Sequence, residues 1–181
     1  MKRLIIIISA AVVIAGGLNG CKRQNEMTMT LEHDGEVEIC IGGAETVTIN
    51  WGDGSERETY KYEHEELYAD DGTTHCIVYR HVYSTASTRT ITITGNNITH
   101  FSCSRNQIKN LDVSKNTSLT LLDCSNNQFS ESELNGLFET LHCNDIEGGK
   151  YIIVSDNPGT DDCNMSIAED KGWTVVYLRT R

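Results

Sequence analysis

The side chains that could do chemistry in this 181-residue chain are histidines, cysteines and a surplus of carboxylates. The sharpest arrangement is His64-Glu65-Glu66-Leu67. On a helix, an imidazole followed at once by a glutamate would begin a zinc site with a built-in general base, but a second imidazole is needed one turn later. Tyr68 stands there, so the ligand pair is missing and the phrase reads as a solvated acidic loop. His75, Cys76 and His81 carry ligand atoms, yet no two cysteines have the C-x-x-C spacing of a zinc site, and the three read as ordinary strand positions. Ala69-Asp70-Asp71-Gly72 and residues 156–162 are acidic loops without the twelve-residue, glutamate-closed pattern that holds calcium. No G-x-S-x-G turn, phosphate-binding loop or dinucleotide fingerprint occurs. The expectation is no catalytic residue, no metal and no cofactor. A competing expectation is a weak hydrolase, accessory to a polysaccharide- or peptide-processing system. Its cleft between two halves would be lined by His81, His100 and nearby carboxylates.

Cys21 has another chemistry open to it. Lys2 and Arg3 precede an apolar run over residues 4–15, which is too short to span a bilayer as a permanent helix. Gly16 to Gly20 then end the run. This pattern is a secretory signal over residues 1–21. Leu18-Asn19-Gly20-Cys21 resembles the lipobox of bacterial lipoproteins, which implies lipidation of Cys21. Asn19 departs from the small or branched residue usual there. Two or three acyl chains would hold the protein stably on a membrane. Residues 22–27 form a polar tether reaching at most roughly 20 Å. The resemblance implies an exported, outer-membrane-anchored protein. Lys22-Arg23 stands where surface-displayed lipoproteins of this kind often carry acid, so the periplasmic and the surface face both stay open.

The formal net charge of −11 would become −13 on loss of Lys2 and Arg3. Such acidity excludes a phosphate-neutralising surface, so no nucleic-acid partner is expected. Membrane contact is expected through the lipid anchor only. Export permits disulfides among Cys40, Cys76, Cys143 and Cys163, with Cys40–Cys76 and Cys143–Cys163 as candidate pairs that sequence alone leaves open. Cys103 and Cys124 read as small buried apolar residues.

The elements that must position these groups are set by a repeat. Shifted by 21 residues, Phe101 to Ile108 falls on Leu122 to Phe129. The core phrase is apolar-x-apolar-x-x-Asn: Ile91/Ile93/Asn96, Phe101/Cys103/Asn106, Leu111/Val113/Asn116, Leu122/Cys124/Asn127 and Ile152/Val154/Asn157. Apolar residues two apart share one strand face, which points inward. The following asparagines are expected to form a structural ladder, each amide bonding the backbone of the next coil. One coil cannot bury its own apolar face, whereas a stack can.

The phrase L-x-x-L-x-L-x-x-N-x-L of the leucine-rich-repeat family can be read over Ile98, Phe101, Cys103, Asn106 and Ile108, then over Leu119, Leu122, Cys124, Asn127 and Phe129. The chain from about residue 91 onward resembles the 21-residue variety of that family, with Cys and Phe where Leu is usual. The resemblance implies a short solenoid that binds protein.

Residues 28–95 alternate like β structure, with candidate strands at 28–31, 36–41, 46–51, 76–79 and 90–93 and Asp34-Gly35 as one of the turns. Ile49-Asn50-Trp51-Gly52-Asp53-Gly54-Ser55, with His81-Val82-Tyr83 and the strand at 90–93, is similar to the W-D-F-G-D-G and H-x-Y phrases of polycystic-kidney-disease (PKD) domains. In that family they are structural. The resemblance makes glycan the lesser alternative ligand, because such domains accompany polysaccharide-degrading enzymes.

The predicted fold is mixed α+β, mainly β: a PKD-like sandwich over 28–95, continuous with a leucine-rich-repeat region over 96–181 and capped by a helix and a strand. Ser130 to Glu133 form a capping box ahead of the stripe Leu134, Leu137, Phe138 and Leu141. The predicted binding face is the polar strip Thr92, His100, Ser102, Asn110, Asp112 and Asp123. The expected role is a non-enzymatic protein-interaction module of unknown oligomeric state. The alternative for the strip is a merely soluble surface.

Overall fold

A computed structural model describes residues 25–63 and 75–177. Cys21, the expected leader, most of the expected tether, His64 to Tyr68 and Asp70 to Gly72 lie outside the described residues. The fold is mainly β with one mixed sheet and two helices among the described residues. The strands are β1 (Glu26–Gly42), β2 (Thr46–Asn50), β3 (Glu58–Lys61), β4 (Cys76–Gly95), β5 (His100–Ser102), β6 (Ile108–Asp112), β7 (Leu121–Asp123), β8 (Lys150–Ile153) and β9 (Trp173–Val176). The helices are α1 (Glu131–Thr140), between β7 and β8, and α2 (Ser166–Glu169), between β8 and β9.

The organising element is β1. It runs antiparallel to β4 from Glu26↔Thr94 to Gly42↔Cys76. Its other edge pairs with β5 through Cys40 to Gly42, and with β6 through Thr28 to Leu31. Beyond β5 the strands turn parallel: β5, β7, β8 and β9 pair in that order, with His100 beside Leu121 and Leu121 beside Tyr151. The full order is β3-β2-β4-β1-β5-β7-β8-β9, with β6 also on β1. The boundary expected between residues 95 and 96 therefore falls inside one sheet.

Alternation explains how one sheet makes a core. On β1 the odd residues Met27, Met29, Leu31, Val37, Ile39 and Ile41 are all buried, and they belong to one cluster with Phe101, Leu122, Ile152 and Phe138. Both halves of the strand thus face the same interior, so the ribbon folds over between them. The β1–β4 register shifts between His33 and Gly35 at that fold. Sequence turn signals predict two strands here, separated by Asp34-Gly35. Instead Asp34 of β1 stands opposite three residues of β4, Ser84 to Ala86, so the extra residues lie on β4; Gly35 takes φ 95°, and β1 continues without reversing because β4 runs alongside it.

Two layers result. One holds the C-terminal half of β1, the N-terminal half of β4, and β5, β7, β8 and β9. The other holds the N-terminal half of β1, the C-terminal half of β4, and β2, β3 and β6, with α1 packed against β6. Ser130 caps α1, accepting from Glu133 N while the Glu133 carboxylate accepts from Ser130 N. Leu134, Leu137 and Phe138 then face the core. A Cβ on Gly159 would collide with the backbone of Ser130 and Glu131, so close approach of the last turn to the α1 entry requires glycine there.

Candidate functional site

Three asparagines stitch successive strand-and-turn segments together. Asn157 Nδ2 donates to Cys124 O and Val154 O, and its Oδ1 accepts from Phe129 N. Asn127 Nδ2 donates to Cys103 O, Cys124 O and Ser125 O, and its Oδ1 accepts from Asn106 N and Ile108 N at 3.0 Å each. Asn106 bonds β1 itself: its Oδ1 accepts from Glu38 N and its Nδ2 donates to Glu38 O. Asn96 and Asn116 stand apart from this chain of bonds. Asn96 is exposed in the turn after β4. Asn116 is buried, but its amide nitrogen and oxygen have no partner.

The ladder fixes the parallel strands, and those strands display two outward rows. Register places His100, Leu121, Tyr151 and Thr174 in one, and Ser102, Asp123, Ile153 and Val176 in the other. Tyr151 is 44% exposed and Val176 is 39% exposed, both large for apolar side chains over a sealed core. His100, Leu121 and Tyr151 form the floor of a groove of about 290 Å³, with Thr120, Glu147 and Gly149 at its margin. His100 Nδ1 lies 2.9 Å from Thr99 Oγ1, and burial holds the imidazole below its usual pKa. Asp123 Oδ1 accepts from Ser125 N and Ser125 Oγ.

Lys150 holds the rim loop in place. It is 3% exposed, and its ammonium donates to Asn144 O at 2.8 Å, Lys171 O at 2.7 Å and His142 O at 3.4 Å. Trp173 Nε1 donates to the same His142 carbonyl, and His142 Nε2 lies 2.8 Å from Leu119 O. A buried ammonium is tolerated here because three carbonyl dipoles replace its water.

The six residues of the predicted binding strip separate. His100, Ser102 and Asp123 share the outward face of the parallel strands. Thr92, Asn110 and Asp112 lie in the other layer, where Thr92 and Asp112 flank Thr28 and Asn110 pairs with Thr30. The strip is therefore two surfaces. Spacing alone missed Tyr151, Glu147 and Lys150. Aligning the phrases would have found Tyr151, which precedes Ile152 as His100 precedes Phe101 and Leu121 precedes Leu122.

The histidines proposed to share a cleft are also apart. His81 pairs with Val37 on the inward side of β4, whereas His100 faces outward from β5. Asp53 Oδ2 lies 2.7 Å from His81 Nε2, Trp51 stacks on the imidazole at 4.9 Å, and Tyr83 meets it edge-on at 4.7 Å. Tyr83 O–H donates to Trp51 O, and the Arg89 guanidinium lies 4.3 Å above the Tyr83 ring. Bonds from Ser55, with His81 adding to them, hold the Asp53 carboxyl well below the usual carboxylate range. Burial first, and then Asp53, push Tyr83 up to about 12. The cluster ties β2 to both halves of β4, a packing role.

Cys40 and Cys76 are joined by a disulfide, while Cys143 and Cys163 are free thiols. Among the described residues no three His, Cys, Asp or Glu side chains converge as a metal site needs. No described helix is long and apolar enough to cross a membrane. No family model, curated protein or solved structure matches the chain.

Proposed function

We propose that the chain is a lipid-anchored, non-enzymatic envelope protein that binds a protein partner through the outward face of β5, β7, β8 and β9. The observation that carries this reading is the exposed aromatic and aliphatic surface at Tyr151 and Val176, with half-buried Leu121 beside Tyr151, displayed by a sheet whose interior is complete without it. The charged start, apolar run and Cys21 support the anchor. In finer terms, the stacked 21-residue phrase supports a short leucine-rich-repeat solenoid. The Trp51, Asp53, His81 and Tyr83 cluster supports a PKD-like sandwich above it. Glycan remains the lesser alternative ligand.

Two measurements test this. Cys21→Ser should move the protein from the membrane fraction to the soluble fraction. A photo-crosslinking residue at Tyr151 should yield a discrete protein adduct in cells, and one at Asp112, in the other layer, should not. Equal adducts at both positions, or none at Tyr151, would refute the face.

A further inference from the structure

We infer that the groove over His100, Leu121 and Tyr151 accepts an arginine side chain from a basic segment of the partner. This deepens the proposed function and rests on it.

Charge comes first. Glu26, Glu32, Glu38, Asp53 and Glu139 each face a lysine, arginine or histidine within 4 Å. Glu147, on the groove margin, has no such partner among the described residues. The nearest lysine in sequence, Lys150, is buried and committed to three carbonyls, so it cannot neutralise the rim. The groove therefore presents an uncompensated carboxylate on a chain of net charge −11. A phosphate or acidic sugar would be repelled, and a cation would be drawn in.

Shape comes second. The floor is an exposed tyrosine ring with Leu121 beside it, three adjacent strands wide. A planar guanidinium stacks on an aromatic face and forks onto a carboxylate, while its alkyl stem covers aliphatic surface. An ammonium offers neither the plane nor the fork. Strands β5, β7 and β8 are interior to the sheet, so their backbone groups are already paired. A partner cannot add a strand there and must enter with side chains.

The test uses the full-length chain and four peptides that differ only at a central residue, either Arg, Lys, Gln or Glu. Affinity is measured by titration, and amide shifts report the site. The arginine peptide should bind about fivefold tighter than the glutamine peptide, with lysine between them and glutamate weakest. Binding should weaken as salt rises. Glu147→Gln and Tyr151→Leu should each remove most of the arginine preference, whereas Asp112→Asn should leave it intact. Shifts should centre on His100, Leu121, Gly149 and Tyr151. Equal binding of the arginine and glutamine peptides at this groove would overturn the basic partner while leaving the face as a docking surface. Shifts confined to the other layer, or a neutral oligosaccharide binding where no peptide does, would overturn both.

Discussion

Replacing Asn127 with alanine should remove a large share of the protein's stability. Its carboxamide oxygen is the acceptor for Asn106 N and Ile108 N, and its nitrogen serves three carbonyls. Cys103 O keeps a second donor in Asn106 Nδ2, so the two amides carry most of the loss. A buried N–H without an acceptor costs about 1–3 kcal/mol, which puts the two together at about 4 kcal/mol. A domain of this kind is stable by about 5–15 kcal/mol in all. The control is Asn116→Ala, which removes an equally buried carboxamide that bonds nothing. Its cost should stay within about 1 kcal/mol, because the lost contacts are offset by relief of an unpaired polar group. Urea unfolding followed by the fluorescence of Trp51 and Trp173 gives both values. A difference under about 1 kcal/mol between the variants, with equal denaturant slopes, would refute the ladder as a source of stability.

Other outcomes follow from the same geometry. Asp53→Asn should lower the thermal midpoint at pH 7. Because the folded carboxyl titrates below its unfolded value of about 3.9, its stabilising effect is full above that pH and fades as pH falls further. The gap between variant and wild type should therefore close below about pH 4, and a constant gap would discount the charge. Tyr60, Tyr79 and Tyr83 are all raised by burial, so an ultraviolet titration should show them ionising only after the exposed tyrosines. Stability should be full below pH 10 and fall as pH climbs toward Tyr83's value of about 12. Alkylation mapped by mass spectrometry should mark exposed Cys143 first. Cys103 and Cys124, buried and with their thiols pushed up by burial, should react only on unfolding. Prompt labelling of Cys124 in the folded protein would contradict the core.

The inward pairs were readable because apolar spacing of two encodes a strand face directly: Phe101, Cys103, Leu122 and Cys124 are all sealed from water. What spacing does not encode is the layer a strand joins. Asn116 follows Val113 out of β6, which pairs antiparallel with β1 and packs on α1, so β6 has no parallel neighbour, and a helix has already spent its interior backbone groups on itself. Asn96 leaves β4, whose neighbours β1 and β2 both run antiparallel to it, and it lies exposed in the turn, so it has no parallel neighbour to bond. The same blindness merged Thr92, Asn110 and Asp112 with residues of the other face. The continuity of β1 through Gly35 was hidden because glycine after aspartate marks a reversal as readily as a bend. Lys150 left no trace in sequence, since its three acceptors come from two separate loops.

Because β1 bonds to β4, β5 and β6, the first strand synthesised is among the last to be satisfied. Its open edge waits until residue 112 has been made. A nascent chain halted near residue 95 would hold a long strand with one side bare, a template on which neighbouring chains could join. The segment before residue 96 therefore leaves one edge of β1 unpaired until residues 100–112 follow. Until they arrive to cover it, that edge needs a shield.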